Sequence, residues 1–538
     1  MCFSLWLYNK SAGHLIECIY RKALFGLRGD SIRQSIFKAT LTISLFSVAT
    51  RAAAFFNRIF LSKTIGAEGM GIYQVVCSVF AVLLALTSSG LPIAVSKQTA
   101  RLRALRDYDG GHATTAAGAV IGLSIALVIT LAIVIFRRPI STLFVDKRCM
   151  PIFMVLLPGV AASAIYSSYR GGLWGQKNFF AYALCEFIEE ALLIGTGIIL
   201  VSRASGVTGG AYNAAISVSI SFVAAALITV CIYFYYDGKI KSPKGYYLPV
   251  LQSAAPLTGI RIASSVITSL LALIIPIRLK LSGLSASEAL SEFGIASGMT
   301  LPLLFIPGTV VGALALVLIP EISGSKDKAE VARQVEGALC FSIFASLVMV
   351  IPYTVAGREI GVLLYSNERS GELLTYSAAI MIPMSLSNMA SSLLNTLGKE
   401  VYSLRHYLIG AALMMATIWF LPPLLGIYSM IFGFFLSFSV TATLNTLAVA
   451  KSVGKMEMFW RDGARMLLAC TGCTAAAWIA NLGLKQVLPQ PAAAFICAAA
   501  GSALFIAVCF KLRIANMDTQ VKKILTKRFN KKEKVVYN

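Results

Sequence analysis

The sequence predicts an all-α polytopic membrane protein with about fourteen spanning helices, and three observations predict it. Hydrophobic residues make up 57% of the 538-residue chain and charged residues only 13%, against roughly 45–50% and about 25% in soluble domains. Mean hydropathy is +0.77. Apolar runs long enough to cross a bilayer, about 20 residues each, recur between short charged segments. This composition excludes a water-soluble fold and leaves no room for a large domain outside the membrane.

Taken in order, residues 1–35 read as a cytoplasmic amphipathic N-terminus. Its apolar start is too short before Lys10 to be a cleavable signal, and Ile16, Ile19, Ala23 and Leu27 share one helical face suited to the membrane surface. A first lobe, 36–236, holds spans at 36–62, 71–96, 113–136, 150–170, 179–202 and 208–236. A basic cytoplasmic linker, 237–248, follows. The second lobe, 249–450, holds spans at 249–279, 291–319, 337–356, 373–397, 402–422 and 425–450, and segment 451–512 adds two more, at 464–484 and 491–510. The tail, 513–538, spaces Val521, Ile524, Leu525 and Phe529 among lysines and arginines, a pattern that binds an anionic inner leaflet.

Lys and Arg number 47 against 24 Asp and Glu, a net charge of +23. In a membrane protein such an excess reports topology rather than nucleic acid binding. With both termini inside, segments assigned to the cytoplasm carry about three times as many Lys and Arg as those assigned outside. Arg137, Arg138, Lys147 and Arg148 run against this trend.

Signals for enzymatic chemistry are absent. There is no GxxxxGK[ST] phosphate loop, and His14, His112 and His406 stand apart from any triad or metal-ligand spacing. Cys470 and Cys473 have CxxC spacing within an apolar run without a second pair. No catalytic residue, metal or cofactor is expected.

The two sets of six spans look like a duplication, with Arg51 and Arg261 at similar depth in the first helix of each, and GLPIAVSK (90–97) matching LIPEISGSK (318–326) after the second. Such halves would be related by an axis along the membrane normal. Arg51 and Arg58 are seven residues apart, two turns, and share a helix face. A charge at mid-bilayer costs roughly 2.5–3.5 kcal/mol, so these residues require a compensating environment. That is either snorkelling or internal pairing with Glu186, Glu189 and Glu190, or a hydrated cavity in which Arg51, Arg58 and Arg261 hold an anion such as phosphate. The three glutamates, at helical spacings of three and four, are candidate counter-ions or coupling groups. Pro256 with Gly259, beside Arg261, is the candidate hinge. The mid-span prolines Pro158, Pro276, Pro302, Pro307, Pro352 and Pro383 require neighbours that satisfy freed backbone groups.

The stretches IGAEGMGIYQ (65–74), SSGLPIAVSK (88–97), YRGGLWGQKNFF (169–180) and SSLLNTLGKE (391–400) resemble stage V sporulation protein B-like polysaccharide biosynthesis proteins. These belong to the multidrug/oligosaccharidyl-lipid/polysaccharide (MOP) flippase superfamily, which includes the lipid II flippase. The resemblance implies two pseudo-symmetric six-helix lobes plus two C-terminal helices, in a bacterial plasma membrane. It also implies a central cationic cavity, whose basic residues match Arg51, Arg58, Lys63 and Arg261, and a fifth-helix glutamate matching Glu189. The lipid II type places an arginine in the eighth helix as well; this chain has none around Ser297 to Pro302.

The implied activity is alternating-access flipping of an undecaprenyl-linked sugar pyrophosphate, with cell-wall synthesis proteins as expected neighbours. Two other readings stay open from the residues. A cation-coupled multidrug exporter would need unpaired acidic groups. A polyprenyl-sugar glycosyltransferase would need a large extramembrane loop, and interhelical stretches here are short.

Overall fold

The computed structural model describes residues 30–309, 311–312, 315, 327–454 and 456–512. The amphipathic segment 15–28, the tail 513–538 and the repeat segment LIPEISGSK lie outside the described residues. The described secondary structure is helical: α1 (Asp30–Thr87), α2 (Leu91–Ala104), α3 (Tyr108–Ile135), α4 (Arg137–Ser141), α5 (Cys149–Gly175), α6 (Phe179–Val201), α7 (Gly206–Tyr235), α8 (Tyr247–Leu281), α9 (Ala286–Phe293), α10 (Leu301–Leu304), α11 (Lys328–Tyr365), α12 (Glu368–Ser377), α13 (Met381–Thr396), α14 (Glu400–Phe420), α15 (Pro422–Leu425), α16 (Tyr428–Val453), α17 (Glu457–Leu484) and α18 (Gln490–Lys511).

Among the described residues, eleven helical stretches are long and apolar enough to cross a membrane. One of them, Leu45–Ala104, contains the second expected span and most of the first, turned at Gly66 with φ 70°. Helix α6 falls outside that set because Glu186, Glu189 and Glu190 share it. The expected span 291–319 departs most from the sequence reading. It begins as α9, widens into a π turn at Gly294–Thr300 and resumes as α10. Pro302 has no N–H to offer the carbonyl four residues back, so the regular ladder is lost just where the wider turn forms.

The described residues form two compact units, one up to Met299 and one from Thr300 on. This division differs from the basic linker at 237–248, because α8 packs on α1, α2 and α3 and belongs to the first unit. Glycines permit that packing. A Cβ on Gly90 would strike the Ala254 carbonyl and the Thr258 hydroxyl of α8. A Cβ on Gly71 would strike the Leu290 carbonyl, and one on Gly294 the Ala67 carbonyl. The GAEGMG and SSGLP motifs are thus backbone-to-backbone docking surfaces for α9 and α8.

Helix α9 starts on a capping box in which Ser285 Oγ accepts from the Glu288 N–H (3.2 Å) and Glu288 Oε2 accepts from the Ser285 N–H (2.8 Å). At the Gly66 end of the unit, Arg148 is closed by Glu68 (2.5 Å) and Asp146 (2.7 Å) and donates to Thr208 Oγ1 (3.4 Å). Glu68 also bonds the Ser287 side chain. Burial opposes ionisation of Asp146, but the hydrogen bonds from Arg148 outweigh it and hold the carboxyl below its ordinary value.

In the second unit, α11 packs against α12, α13, α17 and α18 around Leu339, Leu347, Ile351, Met466 and Phe505. Pro352 frees the carbonyl of Val348, and Ser502 Oγ of α18 donates to it at 3.2 Å. Cys470 and Cys473 are buried, and Cys470 Sγ lies 3.8 Å from the Leu347 carbonyl oxygen. His406 Nδ1 lies 2.8 Å from Asn445 Oδ1 here, and His112 Nδ1 lies 2.7 Å from the Tyr233 hydroxyl in the first unit. Both of these histidines have structural partners.

Candidate functional site

All four basic residues singled out by sequence belong to the first unit. Arg51 and Lys63 are exposed, and Arg58 and Arg261 half-buried. Helix α1 folds back at Gly66, so Tyr73 on its second arm comes within electrostatic reach of Arg58 on its first. By the same folding, Arg51, fifteen residues before Gly66, comes level with residue 81. Helix α8 runs antiparallel to the second arm, with Ala254 against Gly90. Arg261, seven residues on, comes level with residue 83. At 1.5 Å per residue the two guanidinium-bearing positions lie within about 3 Å of one depth.

Helix α6 runs parallel to the first arm. Phe46 stacks edge-on against Phe180 and Phe187, with centroids 5.9 and 5.7 Å apart. Further along, Asn57 Oδ1 lies 3.8 Å from where a Cβ on Gly197 would stand. Interpolation between these contacts puts Arg51 level with Glu189 and Glu190. Arg51 and the glutamate cluster therefore occupy one layer of the unit, with Arg58 two turns nearer Gly66.

The three glutamates do not share one role. Glu186 Oε2 accepts from Arg170 Nη2 at 2.5 Å. The Arg170 guanidinium lies over the Tyr182 ring at 4.1 Å and 5.7 Å from the Tyr166 centroid. Glu189 and Glu190 are half-buried and make no ion pair or hydrogen bond with the described residues. Each lies within electrostatic reach of a tyrosine, Glu189 of Tyr166 and Glu190 of Tyr73. Tyr166 and Tyr182 are 5% and 2% exposed, yet neither hydroxyl finds a partner among the described residues.

Sequence reasoning missed Arg170, Tyr166 and Tyr182. Arg170 closes the expected span 150–170 and was given no role; its signal was the glutamate sixteen residues on, one helical hairpin away. Arg51 and Arg58 make no ion pair or hydrogen bond with the described residues, unlike Arg148 and Arg170. A planar guanidinium left open in this way can take a phosphate in bidentate fashion.

Helix α8 keeps helical geometry through Pro256 and Gly259, and a Cβ on Gly259 would meet nothing within 4 Å. The second unit offers an apolar recess of about 690 Å³ lined by Tyr376, Tyr428, Phe432 and Phe435 among others. Its lining suits hydrocarbon rather than a charged headgroup.

Comparison with known proteins bears on the family and the fold. The model of a family described as polysaccharide biosynthesis protein matches residues 36–326, just over half of the chain. Stage V sporulation protein B of Bacillus subtilis (strain 168) is 25% identical over 447 residues, covering 79% of this chain and 84% of that protein. Among solved structures, the lipid II flippase MurJ in an inward closed conformation superimposes with a TM-score of 0.62 at 14% identity, over 88% of this chain and 99% of that one. An inward-facing multidrug resistance MATE family transporter of the MOP superfamily gives 0.61 at 16% identity, over 78% and 99%. At these identities the structures show a shared fold.

Proposed function

The chain belongs to the polysaccharide biosynthesis protein family, and from that premise we propose that it is an alternating-access flippase for an undecaprenyl-linked sugar pyrophosphate, lipid II-like, carried from the inner to the outer leaflet. One observation carries the reading. Arg51 and Arg58 stand two turns apart on a membrane-spanning helix without a carboxylate partner among the described residues, Arg51 level with Arg261, while Arg170, another interior arginine of the unit, is neutralised. Leaving guanidinium groups unpaired at this depth is costly, and a diphosphate offsets the cost because its oxygens match the guanidinium fork.

Lys63, at the Gly66 end of the same arm, would extend the anion's path. The basic linker and tail fit a cytoplasmic side, with the chain in a bacterial plasma membrane and both termini inside. Moving negative charge outward is electrically downhill by about 2.3 kcal/mol per charge per 100 mV. Voltage thus supplies a drive without a nucleotide site, and the protein acts as a carrier rather than an enzyme.

The test is translocation of a fluorescent undecaprenyl-pyrophosphoryl sugar by the full chain in proteoliposomes under an imposed potential. Wild-type protein should move the lipid, and Arg51→Ala and Arg58→Ala should each slow it tenfold or more. Unchanged translocation in variants that still insert would overturn the assignment.

A further inference from the structure

We propose that the short helix α4 and the connections held beside it form a docking surface for anionic phospholipid headgroups, in the leaflet on the side of the molecule away from the basic linker. In the orientation proposed above this is the outer leaflet. The surface is separate from the arginine face of α1, and it stands whether or not the chain carries a lipid across.

Arg137, Arg138, Lys147 and Arg148 lie where the charge distribution along the chain calls for few basic residues. The fold confirms that they are far from the linker. Lys241 of the linker holds Asp109, in the first turn of α3, at 2.9 Å, so α3 starts on the linker side. Its 28 residues extend about 42 Å, which crosses about 30 Å of hydrocarbon and ends in the opposite headgroup layer. Arg137 and Arg138 follow directly, at headgroup depth.

Of the four, Arg148 alone has carboxylate partners, and its network gathers the neighbouring connections onto this face. It reaches Thr208, with Arg203 five residues before it, and its partner Asp146 lies within electrostatic reach of Lys280. Glu68 in turn bonds the Ser287 side chain. Arg137, Arg138, Lys147, Arg203 and Lys280 are all exposed and make no ion pair with the described residues. Segments 63–68, 136–148, 202–206 and 278–292 together carry eight Lys and Arg against four Asp and Glu. Even complete pairing within the face would leave four positive charges over.

The apolar side chains around α4 say what those charges meet. Phe144 is buried against Phe153, with centroids 5.9 Å apart, and anchors the segment to α5. The Ser141 and Thr142 hydroxyls donate to the Arg138 and Pro139 carbonyls at 2.6 and 2.7 Å and fix its turns. Ile135, Phe136 and Leu143 nevertheless stay 63%, 58% and 54% exposed. Basic residues among exposed apolar ones at this depth suit an element lying at the boundary of headgroups and acyl chains. A soluble polyanion would engage the charges and leave three large apolar side chains in water. A phospholipid engages both.

The test uses the full chain in phosphatidylcholine nanodiscs carrying a trace of photoactivatable phosphatidylglycerol or, in a parallel sample, photoactivatable phosphatidylcholine, with crosslinks mapped by mass spectrometry. Each Lys or Arg beside an anionic lipid strengthens the contact about fivefold, so peptides within 136–147 should be labelled about fivefold or more in favour of the anionic probe. Arg137→Gln/Arg138→Gln should lose that preference. Labelling of the linker 237–248 and the unfolding temperature in phosphatidylcholine should stay at wild-type values, which separates lost binding from a lost fold. A second reading needs no variant. Raising ionic strength from about 0.01 M to about 1 M shortens the screening length from about 30 Å to about 3 Å and should remove the wild-type preference. Equal labelling by the two probes, or a preference that survives either the variant or the salt, would overturn the proposal. Equal labelling together with polyphosphate binding that the variant loses would assign the surface to a water-borne polyanion instead.

Discussion

Arg148 and Arg58 carry the same guanidinium in the same unit, yet the first is closed by Glu68 and Asp146 and the second by no carboxylate among the described residues. The sequence around each accounts for the difference. Arg148 lies two residues after Asp146, in a connection that meets the Gly66 turn and its Glu68. Arg58 lies on a helix whose neighbours at that depth are Asn57, Tyr73 and Cys77. The first arrangement ties connections together. The second makes no ion pair among the described residues, as the proposed anion site requires. Arg170 is the intermediate case, interior like Arg58 but paired like Arg148.

The contrast breaks most visibly where charge is unpaired. Each guanidinium on a phosphate contributes about 1.5–3 kcal/mol as a charge-assisted hydrogen bond. The Arg51→Ala/Arg58→Ala variant is expected to lose a hundredfold or more in affinity for undecaprenyl pyrophosphate, measured by titration in nanodiscs. Its unfolding temperature should stay at the wild-type value. A variant that melts early with intact affinity would place these arginines with Arg148, as structural groups.

Arg170 should behave in the opposite way. Breaking a buried pair costs about 3–5 kcal/mol; Glu186 is 34% exposed, and solvent lowers that to about 2–3 kcal/mol. Arg170→Met should therefore lower thermal stability in detergent, and Arg170→Met/Glu186→Gln should recover most of the loss. Failure of the double variant to recover would mean that stacking on Tyr166 and Tyr182, rather than charge, holds the arginine.

The Arg148 cluster gives a smaller effect with a defined pH dependence. Because Arg148 holds Asp146 below its ordinary value, the pair's stabilisation is complete above that value, about 3.9, and is lost as pH falls through the lower folded one. The contribution is about 1 kcal/mol for a pair this accessible. Thermal melts of wild type and Asp146→Asn should differ at neutral pH and converge in strong acid. Parallel curves across the whole range would mean that the carboxylate contributes nothing as a charge.

Much of this was legible in the sequence, for physical reasons that also mark where legibility ended. Apolar length set the spans: the expected 179–202 and 491–510 are α6 (Phe179–Val201) and α18 (Gln490–Lys511). Period placed Arg51 and Arg58 on one face, because that is a property of a single helix. The partner of Glu186 was not legible, since Arg170 is brought to it by the packing of α5 on α6. Nor was the attachment of α8 to the first unit, which depends on what Gly90 and Gly71 allow to approach. Glycines in a motif announce close contact or a turn without naming the other side. The π turn at 294–300 escaped for a similar reason, because Pro302 predicts an interruption but not its form.

The smallest effect tests the hinge, where fold and function predict opposite consequences of one methyl group. Gly259 is exposed, its φ is helical and a Cβ there meets nothing within 4 Å, so Gly259→Ala is free of steric cost. Alanine is favoured over glycine inside a helix by about 0.5–1 kcal/mol, which should raise the unfolding temperature by about a degree or two in a chain of this size. If α8 bends at Pro256 and Gly259 during each cycle, the same free energy opposes the bent state. Turnover should then fall roughly twofold to fivefold while affinity for undecaprenyl pyrophosphate is unchanged. A stabilised variant with wild-type turnover would show that α8 moves as a rigid rod, with Pro256 an ordinary kink satisfied by its neighbours.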